Sequence, residues 1–192
     1  TQIDVSGKTI PRATVNIILD AETIGSVRAD SSGNFDFATD ASPGTVSMGF
    51  WTEDDNNVRS ITYNTTFDVT QGAITNISGI FVPPTIAVSD ATVNPGEPMT
   101  FFGQAAPNVS VELHIGDSQQ VLTTTSDSGG YWNIDLDTAA FSPAEYTARA
   151  RYVVGSGTLV TESSFSATLQ LFLGVDGQPT TPSDLNRDGF VN

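Results

Sequence analysis

The stretch "GKTIPRATVNIIL", residues 7–19, decides the fold of this 192-residue chain, because a similar stretch recurs later in the chain. Its second copy is "GQAAPNVSVELHI", residues 103–115, with the glycine, the proline and the apolar positions in register. In the first copy Val15, Ile17 and Leu19 alternate with other residues. An alternation with a period of two is typical of a strand that buries one face. The repeat therefore predicts two similar β domains.

A second pair of matching segments follows. "ADSSGNFDFATD", residues 29–40, aligns with "SDSGGYWNIDLD", residues 126–137, and pairs Phe35 with Trp132. Each segment contains an Asp-Ser-x-Gly turn, in which Asp and Ser side chains bond to the backbone and glycine takes a positive φ. We expect these turns to be structural rather than metal-binding. We expect the paired aromatic side chains to lie in the two cores.

Turn residues recur along the chain at the spacing of about 8–12 residues that is expected of an all-β sandwich, and no long segment carries a helical stripe. We therefore predict an all-β fold of two tandem Ig-like antiparallel β-sandwiches plus an extended C-terminal linker. The predicted bounds are residues 1–84 and 85–174 for the sandwiches and 175–183 for the linker. Pro83 and Pro84 cannot donate ladder hydrogen bonds, so we expect them to stiffen the joint.

The first sandwich is predicted to lack its first strand. In the second copy a strand-like segment, residues 85–98, precedes the stretch that aligns with the chain start, whereas only six residues precede Gly7. An unpaired sheet edge invites another strand to add to it. We expect either an upstream segment of the same protein or a strand from a neighbouring copy to fill the groove. The strand-like segment at residues 72–82 is a further candidate at the module junction.

Composition limits the classes of function. The chain has 7 Lys+Arg against 22 Asp+Glu, a formal net charge of −15, which disfavours nucleic acid and anionic membranes as partners. No apolar run approaches the roughly 20 residues of a membrane span. The chain has no cysteine and one lysine, Lys8. We interpret this balance as that of an extracellular or cell-surface bacterial protein.

The last nine residues, "DLNRDGFVN", have the spacing with which a calcium loop begins. Hard oxygen ligands stand at alternate positions, and a glycine permits the sharp turn. The predicted metal ligands are Asp184, Asn186, Asp188, the carbonyl of Phe190, and Asn192. The bidentate carboxylate of position 12 would be residue 195, so we expect at most weak Ca²⁺ binding by this segment.

These residues support two resemblances. The layout of glycine, proline, alternating strand and Asp-x-x-Gly-x-aromatic resembles the bacterial Ig-like and carboxypeptidase-regulatory-like β-sandwich modules that occur in tandem on secreted and surface proteins. Residues 184–192 resemble the first calcium loop of a type I dockerin. The resemblance implies an EF-hand-like calcium loop and, for complete dockerins, docking to a cohesin. A dockerin has two such loops, and only part of the first is present here.

Residues suited to catalysis are few. His114 is the only histidine, and the alternation of its strand places it on the solvent face with Glu112. The sequence contains no Ser-His-Asp arrangement within reach and no glycine-rich phosphate loop that leads into a helix. We therefore expect that the protein is not an enzyme.

The surface candidates lie around "TEDDNN". We interpret residues 53–57 as a solvated acidic loop tip, with a cation site between strands as the alternative. The neighbouring Trp51 and Tyr131 are candidates for sugar stacking, and Trp51, beside the acidic residues, is the better surface candidate. Trp132 belongs to the same aromatic group, but its place in the repeat favours the core.

The sequence as a whole favours an extracellular structural or assembly module of a bacterial cell-surface or filament protein, which spaces or polymerises Ig-like domains. The expected partners are neighbouring copies or an upstream segment of the same protein. The alternative is a carbohydrate- or cohesin-binding accessory module of a larger secreted enzyme, whose partners would be glycans or a cohesin-like protein.

Overall fold

The structure is a computed structural model, and it describes residues 1–116, 120–156 and 158–175. Within these residues the regular elements are strands, apart from one 3-10 turn at Thr138–Ala140. No helix in the described part of the chain is long and apolar enough to cross a membrane.

Seven of the described strands form the first sandwich. They are β1 Gln2–Lys8, β2 Thr14–Leu19, β3 Glu22–Arg28, β4 Asn34–Asp40, β5 Gly44–Trp51, β6 Tyr63–Val69 and β7 Ile74–Phe81. One sheet has the order β4-β1-β7 and the other the order β3-β2-β5-β6. The inward-facing apolar side chains fill the space between the sheets, and those of Ile3, Ile17, Met48 and Phe50 are fully buried.

Nine of the described strands form the second sandwich. They are β8 Ala87–Val88, β9 Thr92–Val93, β10 Pro98–Gln104, β11 Ser110–Ile115, β12 Gln120–Thr125, β13 Tyr131–Asp137, β14 Ala144–Ser156, β15 Leu159–Glu162 and β16 Leu169–Leu173. One sheet has the order β13-β10-β8, and the other has the order β12-β11-β14-β16-β9, with β15 beside β14. This sandwich has a core of its own, around Phe101, Leu113 and Leu171.

The predicted fold of two tandem Ig-like β-sandwiches is confirmed. The repeat is also visible in three dimensions, because β1, β2 and β4 take the places that β10, β11 and β13 take in the second sandwich. Phe35 and Trp132 are 2% and 3% exposed, so their predicted core positions are confirmed. The domain boundaries after residues 84 and 174 and the linker at 175–183 stay predictions.

The structure contradicts the expectation of an unpaired edge at β1. In the second sandwich β10 pairs with β13 on one side and, antiparallel, with β8 on the other. In the first sandwich β1 pairs with β4 and, in parallel, with β7. The segment at residues 72–82 thus supplies the strand, and no upstream segment or neighbouring copy is needed there. The physical reason is that the chain crosses back to the other sheet after β6, which hydrophobic alternation does not reveal.

The direction of β7 decides which ends of the sandwiches meet. Because β7 is parallel to β1, it ends at Phe81, which pairs with Lys8 at the end of β1. The prolines at residues 83–84 follow at once and are buried. The N–H of Thr85 then donates to the carbonyl of Gln104, 3.0 Å away at the end of β10. The two sandwiches therefore meet through the same end, where β1 and β10 finish.

We call this contact the junction. It contains residues 7–13, 30–33, 53–58, 81–85, 103–107 and 127–131 and Tyr152. The opposite end of the first sandwich carries the pair Gln2 and Asp40, and the opposite end of the second carries Leu173 and Ala144. The start of β1 and the end of β16 therefore lie at opposite poles of the described unit.

Candidate functional site

Three five-residue turns with the same hydrogen bonds meet at the junction. They begin at Asp30, Asp54 and Asp127. In each, Oδ1 of the aspartate accepts from the backbone N–H groups two and four residues later. The N–H of the aspartate donates to the carbonyl four residues later. The fourth residue takes a positive φ, which suits glycine and asparagine: Gly33, Asn57 and Gly130.

The prediction that side chains bond to the backbone in the two Asp-Ser-x-Gly turns is confirmed for the aspartates. The direction of the pKa shift at Asp30 agrees with these hydrogen bonds. The backbone N–H of Asn34, 2.8 Å from Oδ1, holds the pKa of the Asp30 carboxyl below its ordinary value of 3.8, because the hydrogen bond stabilises the charged form.

The third turn corrects the interpretation of residues 53–57 as a solvated loop tip. Asp54 is only 7% exposed. Its Oδ1 accepts from the N–H groups of Asn56 and Val58 at 2.9 Å each, and its Oδ2 accepts from the Thr85 hydroxyl at 2.6 Å. A sequence signal for this turn exists, because Asp54 and Asn57 have the spacing of the Asp and Gly of the other two turns.

Asp55 joins the first sandwich to the second. Its backbone N–H donates to Oε1 of Gln104 at 2.8 Å, and its Oδ2 accepts from Nε2 of the same buried side chain at 3.3 Å. The hydroxyl of Tyr131 donates to Oδ2 as well. This bond to Asp55 raises the pKa of Tyr131 above its ordinary value, since the neutral phenol is the donor.

Tyr152 reaches across the junction from β14. Its hydroxyl donates to the backbone carbonyls of Val82 at 3.1 Å and Lys8 at 3.3 Å. Its ring packs edge-on against Phe81, with 6.2 Å between the ring centroids. Burial raises the pKa of Tyr152, so the hydroxyl stays protonated. The core of the second sandwich is thereby tied to the end of β7.

Each sandwich contacts the other through an equivalent pair of residues, a glycine on one side and a proline on the other. A Cβ placed on Gly130 would lie 2.9 Å from Cδ of Pro11, and a Cβ placed on Gly33 would lie 3.1 Å from Cδ of Pro107. In the repeat Pro11 aligns with Pro107 and Gly33 with Gly130. The two contacts are therefore related by an approximate two-fold axis, as in an isologous dimer interface.

A cleft of about 560 Å³ opens beside these contacts. Its walls include Arg12, Arg28, Glu53 and Asp55 from the first sandwich and Ser128 and Tyr131 from the second. Arg12 and Arg28 are exposed, and neither forms a salt bridge with any residue that the structure describes. The cleft thus combines two guanidinium groups, which can donate to an anionic group, with hydroxyl groups and with carboxylates, which can accept.

The aromatic candidates have different surroundings. The guanidinium of Arg59 lies 3.8 Å from the centroid of the Trp51 ring, so one face of this ring is occupied by a cation–π contact. Tyr131 is 46% exposed and lines the cleft. Of the aromatic residues considered for sugar stacking, Tyr131 therefore has the more accessible ring.

His114 lies on the same sheet face as Glu112, as predicted, but it is only 8% exposed. The ring of Phe165 covers it edge-on, with 4.9 Å between centroids. Oε2 of Glu112 lies 3.0 Å from Nε2 of His114 and accepts from Nε of Arg151 at 2.8 Å. Partial burial raises the pKa of Glu112, but these bonds outweigh it, and the pKa lies below its ordinary value. The expectation of a solvent-exposed histidine is wrong because a segment distant in sequence covers it.

The predicted calcium ligands Asp184, Asn186, Asp188, Phe190 and Asn192 lie outside the described residues. The calcium loop and its dockerin-like character therefore stay predictions. In the part of the chain that the structure describes, no group of three or more His, Asp or Glu side chains is arranged to hold a metal ion.

No family model matches this chain, and a search of curated proteins finds no match. Solved structures do match. One is a 1.5-MDa bacterial ice-binding adhesin, at 13% identity over 85% of this chain with a TM-score of 0.33. Another is a Ca²⁺-stabilised, ice-binding adhesin of an Antarctic bacterium, at 17% identity over 90% of this chain with a TM-score of 0.35.

A third match is a DUF3823 family protein from Bacteroides uniformis, at 9% identity over 88% of this chain and 98% of that chain, with a TM-score of 0.34. This chain spans about half the length of the two adhesin chains, 52% and 48%. At these identities and TM-scores the matches assign no function, and the resemblance to carboxypeptidase-regulatory-like modules stays a prediction.

Proposed function

We propose that this chain is a non-enzymatic spacing module of an extracellular bacterial surface protein, in which two Ig-like sandwiches form one stiff unit. The observation that carries the proposal is the position of the strand ends. β1 begins at one pole of the described unit, and β16 ends at the other. A unit that the chain enters and leaves at opposite poles adds its full length to a larger protein. The extracellular location is the interpretation that we give to the acidic, cysteine-free and low-lysine composition.

The contacts of the junction support stiffness. The buried prolines at residues 83–84 restrict the connection. Asp54 bonds to Thr85, and Asp55 bonds to Gln104. Bending at the junction would separate the buried side chains of Asp54, Thr85 and Gln104 from these partners, at a cost of about 1–3 kcal/mol for each buried group left unpaired. Polymerisation by addition of a strand to β1 is disfavoured, because β7 already pairs with that edge of β1.

A distance measurement between the two poles tests the stiffness. The chain contains no cysteine, so spin labels attach only where cysteines are introduced, as in the double variant Asp40→Cys, Glu145→Cys. Both positions are exposed, and they lie at opposite poles. We expect double electron–electron resonance to give one narrow distribution centred at roughly 50 Å, because two strands of this length placed end to end span about 45 Å.

Two further changes show whether the junction sets that distance. Asp54→Ala combined with Tyr152→Phe in the labelled chain should broaden the distribution. The matched control is Tyr146→Phe, because the hydroxyl of Tyr146 donates to the carbonyl of Ser142, away from the junction. A broad distribution in the labelled chain without these changes would refute the stiff unit.

A further inference from the structure

The cleft at the junction has walls of different chemistry, and these suit one class of ligand. We propose that it binds a uronate-containing oligosaccharide. Arg12 and Arg28 would hold the sugar carboxylate, Glu53 and the serine hydroxyls would bond to sugar hydroxyl groups, and the Tyr131 ring would pack against a sugar face. This binding function goes beyond spacing and does not depend on it.

Arg12 and Arg28 start from neighbouring backbone positions. Arg28 pairs with Thr14 at the end of β3, and the N–H of Arg12 donates to the carbonyl of Asp30 at 3.0 Å. Neither guanidinium forms a salt bridge with a described residue, although the chain has 22 acidic residues. The planar fork of donors on arginine matches the geometry of a carboxylate.

The second sandwich shows that the fold does not require these arginines. Arg12 aligns with Asn108, and Arg28 aligns with Thr125. Arg12 and Asn108 both take a positive φ, 61° and 54°. Asparagine adopts this left-handed conformation more readily than arginine does. The backbone therefore gives no reason for an arginine at position 12, and we attribute its presence to the ligand.

The opposite wall carries a tyrosine that is held at both ends. The hydroxyl of Tyr131 donates to Asp55, and its backbone N–H donates to Oδ1 of Asp127 at 3.0 Å. An aromatic ring that is fixed and 46% exposed offers an apolar face at little entropic cost. Ser31 and Ser128 also line the cleft, and their hydroxyl groups both donate and accept.

The acidic side chains of the cleft select among anions. Glu53 and Asp55 stand in the same cleft as the two arginines and would repel a ligand with closely spaced negative charges, such as a phosphate ester or a sulfated sugar. A uronate carries one carboxylate per ring beside several hydroxyl groups. A bound uronate therefore places one negative charge at the two arginines and its hydroxyl donors at the carboxylates of Glu53 and Asp55.

Binding is tested with the full chain and defined probes. These are a galacturonic acid trisaccharide, a glucuronic acid trisaccharide, the neutral galactose trisaccharide and inorganic phosphate. We expect calorimetry to detect at least one acidic trisaccharide, bound at least about tenfold more tightly than the neutral one, as one charge-assisted contact predicts. Backbone amide shifts should cluster at the cleft. Absence of binding by both acidic trisaccharides, or equal binding of phosphate, would overturn the proposal.

Variants that copy the second sandwich locate the site. Arg12→Asn and Arg28→Thr are expected to fold, and each should weaken binding at least about tenfold. Arg149→Gln removes the same charge from a side chain that stacks on Phe165, outside the cleft, and should leave binding unchanged. Binding that persists in the double variant Arg12→Asn, Arg28→Thr would overturn the site. The distance between spin labels at the poles should not change in these variants, so the spacing and binding proposals can fail separately.

Discussion

The two sandwiches fill the same sheet position by different routes. In the second, β8 comes before β10 in the chain and pairs with it antiparallel. In the first, β7 comes last and pairs with β1 in parallel. This reversal brings the end of β7 to the end of β1, where the second sandwich begins. The difference teaches that the direction of one edge strand determines which ends of two modules meet.

Some residues at the junction are equivalent in the two copies of the repeat, and others differ. The proline and glycine contacts at Pro11 with Gly130 and at Pro107 with Gly33 are equivalent. The residues beside them differ, because arginine at position 12 corresponds to asparagine at 108. The shared proline and glycine contacts lie where the two sandwiches meet. The proposed ligand site combines Arg12 and Arg28, which differ from their counterparts in the second copy, with Ser31 and Ser128, which are equivalent.

The largest expected effect tests the position of β7. A Cβ on Gly7 would lie 2.5 Å from the carbonyl oxygen of Ile80 in β7 and 2.5 Å from the Phe35 ring, and a Cβ on Gly103 would overlap the carbonyl of Thr85. We expect Gly7→Ala and Gly103→Ala each to lower the free energy of unfolding by about 3 kcal/mol, because backbone must move. Urea denaturation measures this loss.

Gly25→Ala is the matched control for these variants. Its Cβ would meet the Phe37 ring at an ordinary 3.5 Å, so we expect a loss below about 1 kcal/mol. If Gly7→Ala lost no more than this control while Gly103→Ala lost about 3 kcal/mol, β7 would not lie against β1, and the contrast between the two sandwiches would be wrong.

A smaller effect tests the burial of the third turn. Asp54 and Asp30 accept the same two backbone bonds, but Asp54 is buried at the junction and also accepts from Thr85. We expect Asp54→Ala to lower the free energy of unfolding by about 2 kcal/mol, since a buried charge-assisted hydrogen bond is lost. Asp30→Ala should cost clearly less, because solvent replaces the lost bonds. Equal losses in urea denaturation would place Asp54 outside the junction.

Hydrophobic alternation and the repeat were sufficient to predict the two sandwiches and the core positions of Phe35 and Trp132. They were not sufficient to predict the partner of β1, because alternation defines the faces of a strand but neither its neighbours nor its direction. The face of His114 followed from its strand, whereas its burial depends on Phe165, a contact between distant segments.

The candidate site was less predictable than the fold. The spacing of Asp54 and Asn57 already contains the third turn, and a search for Asp-x-x-Gly that also admitted asparagine would have found it. Arg12, Arg28 and Tyr131 carry no such signal, because they come from three separate segments that only the junction brings together.

The smallest expected effect compares the two left-handed positions directly by exchanging their residues. Arg12 and Asn108 have nearly the same φ, and each N–H donates to the carbonyl of the aspartate that opens the adjacent turn. We expect Arg12→Asn to raise the free energy of unfolding by about 0.5 kcal/mol and Asn108→Arg to lower it by a similar amount, because asparagine tolerates a positive φ better.

Urea denaturation measures whether each variant raises or lowers the free energy of unfolding. The sign of this change is decisive, because replacing a residue that stabilises the fold would lower the free energy of unfolding. If Arg12→Asn lowered the free energy of unfolding, the arginine would stabilise the fold, and its presence would need no ligand. If the variant is more stable and binds the acidic trisaccharides less tightly, the first sandwich gives up stability at this position in return for binding. Such an exchange is the usual relation between a strained residue and the site that it serves.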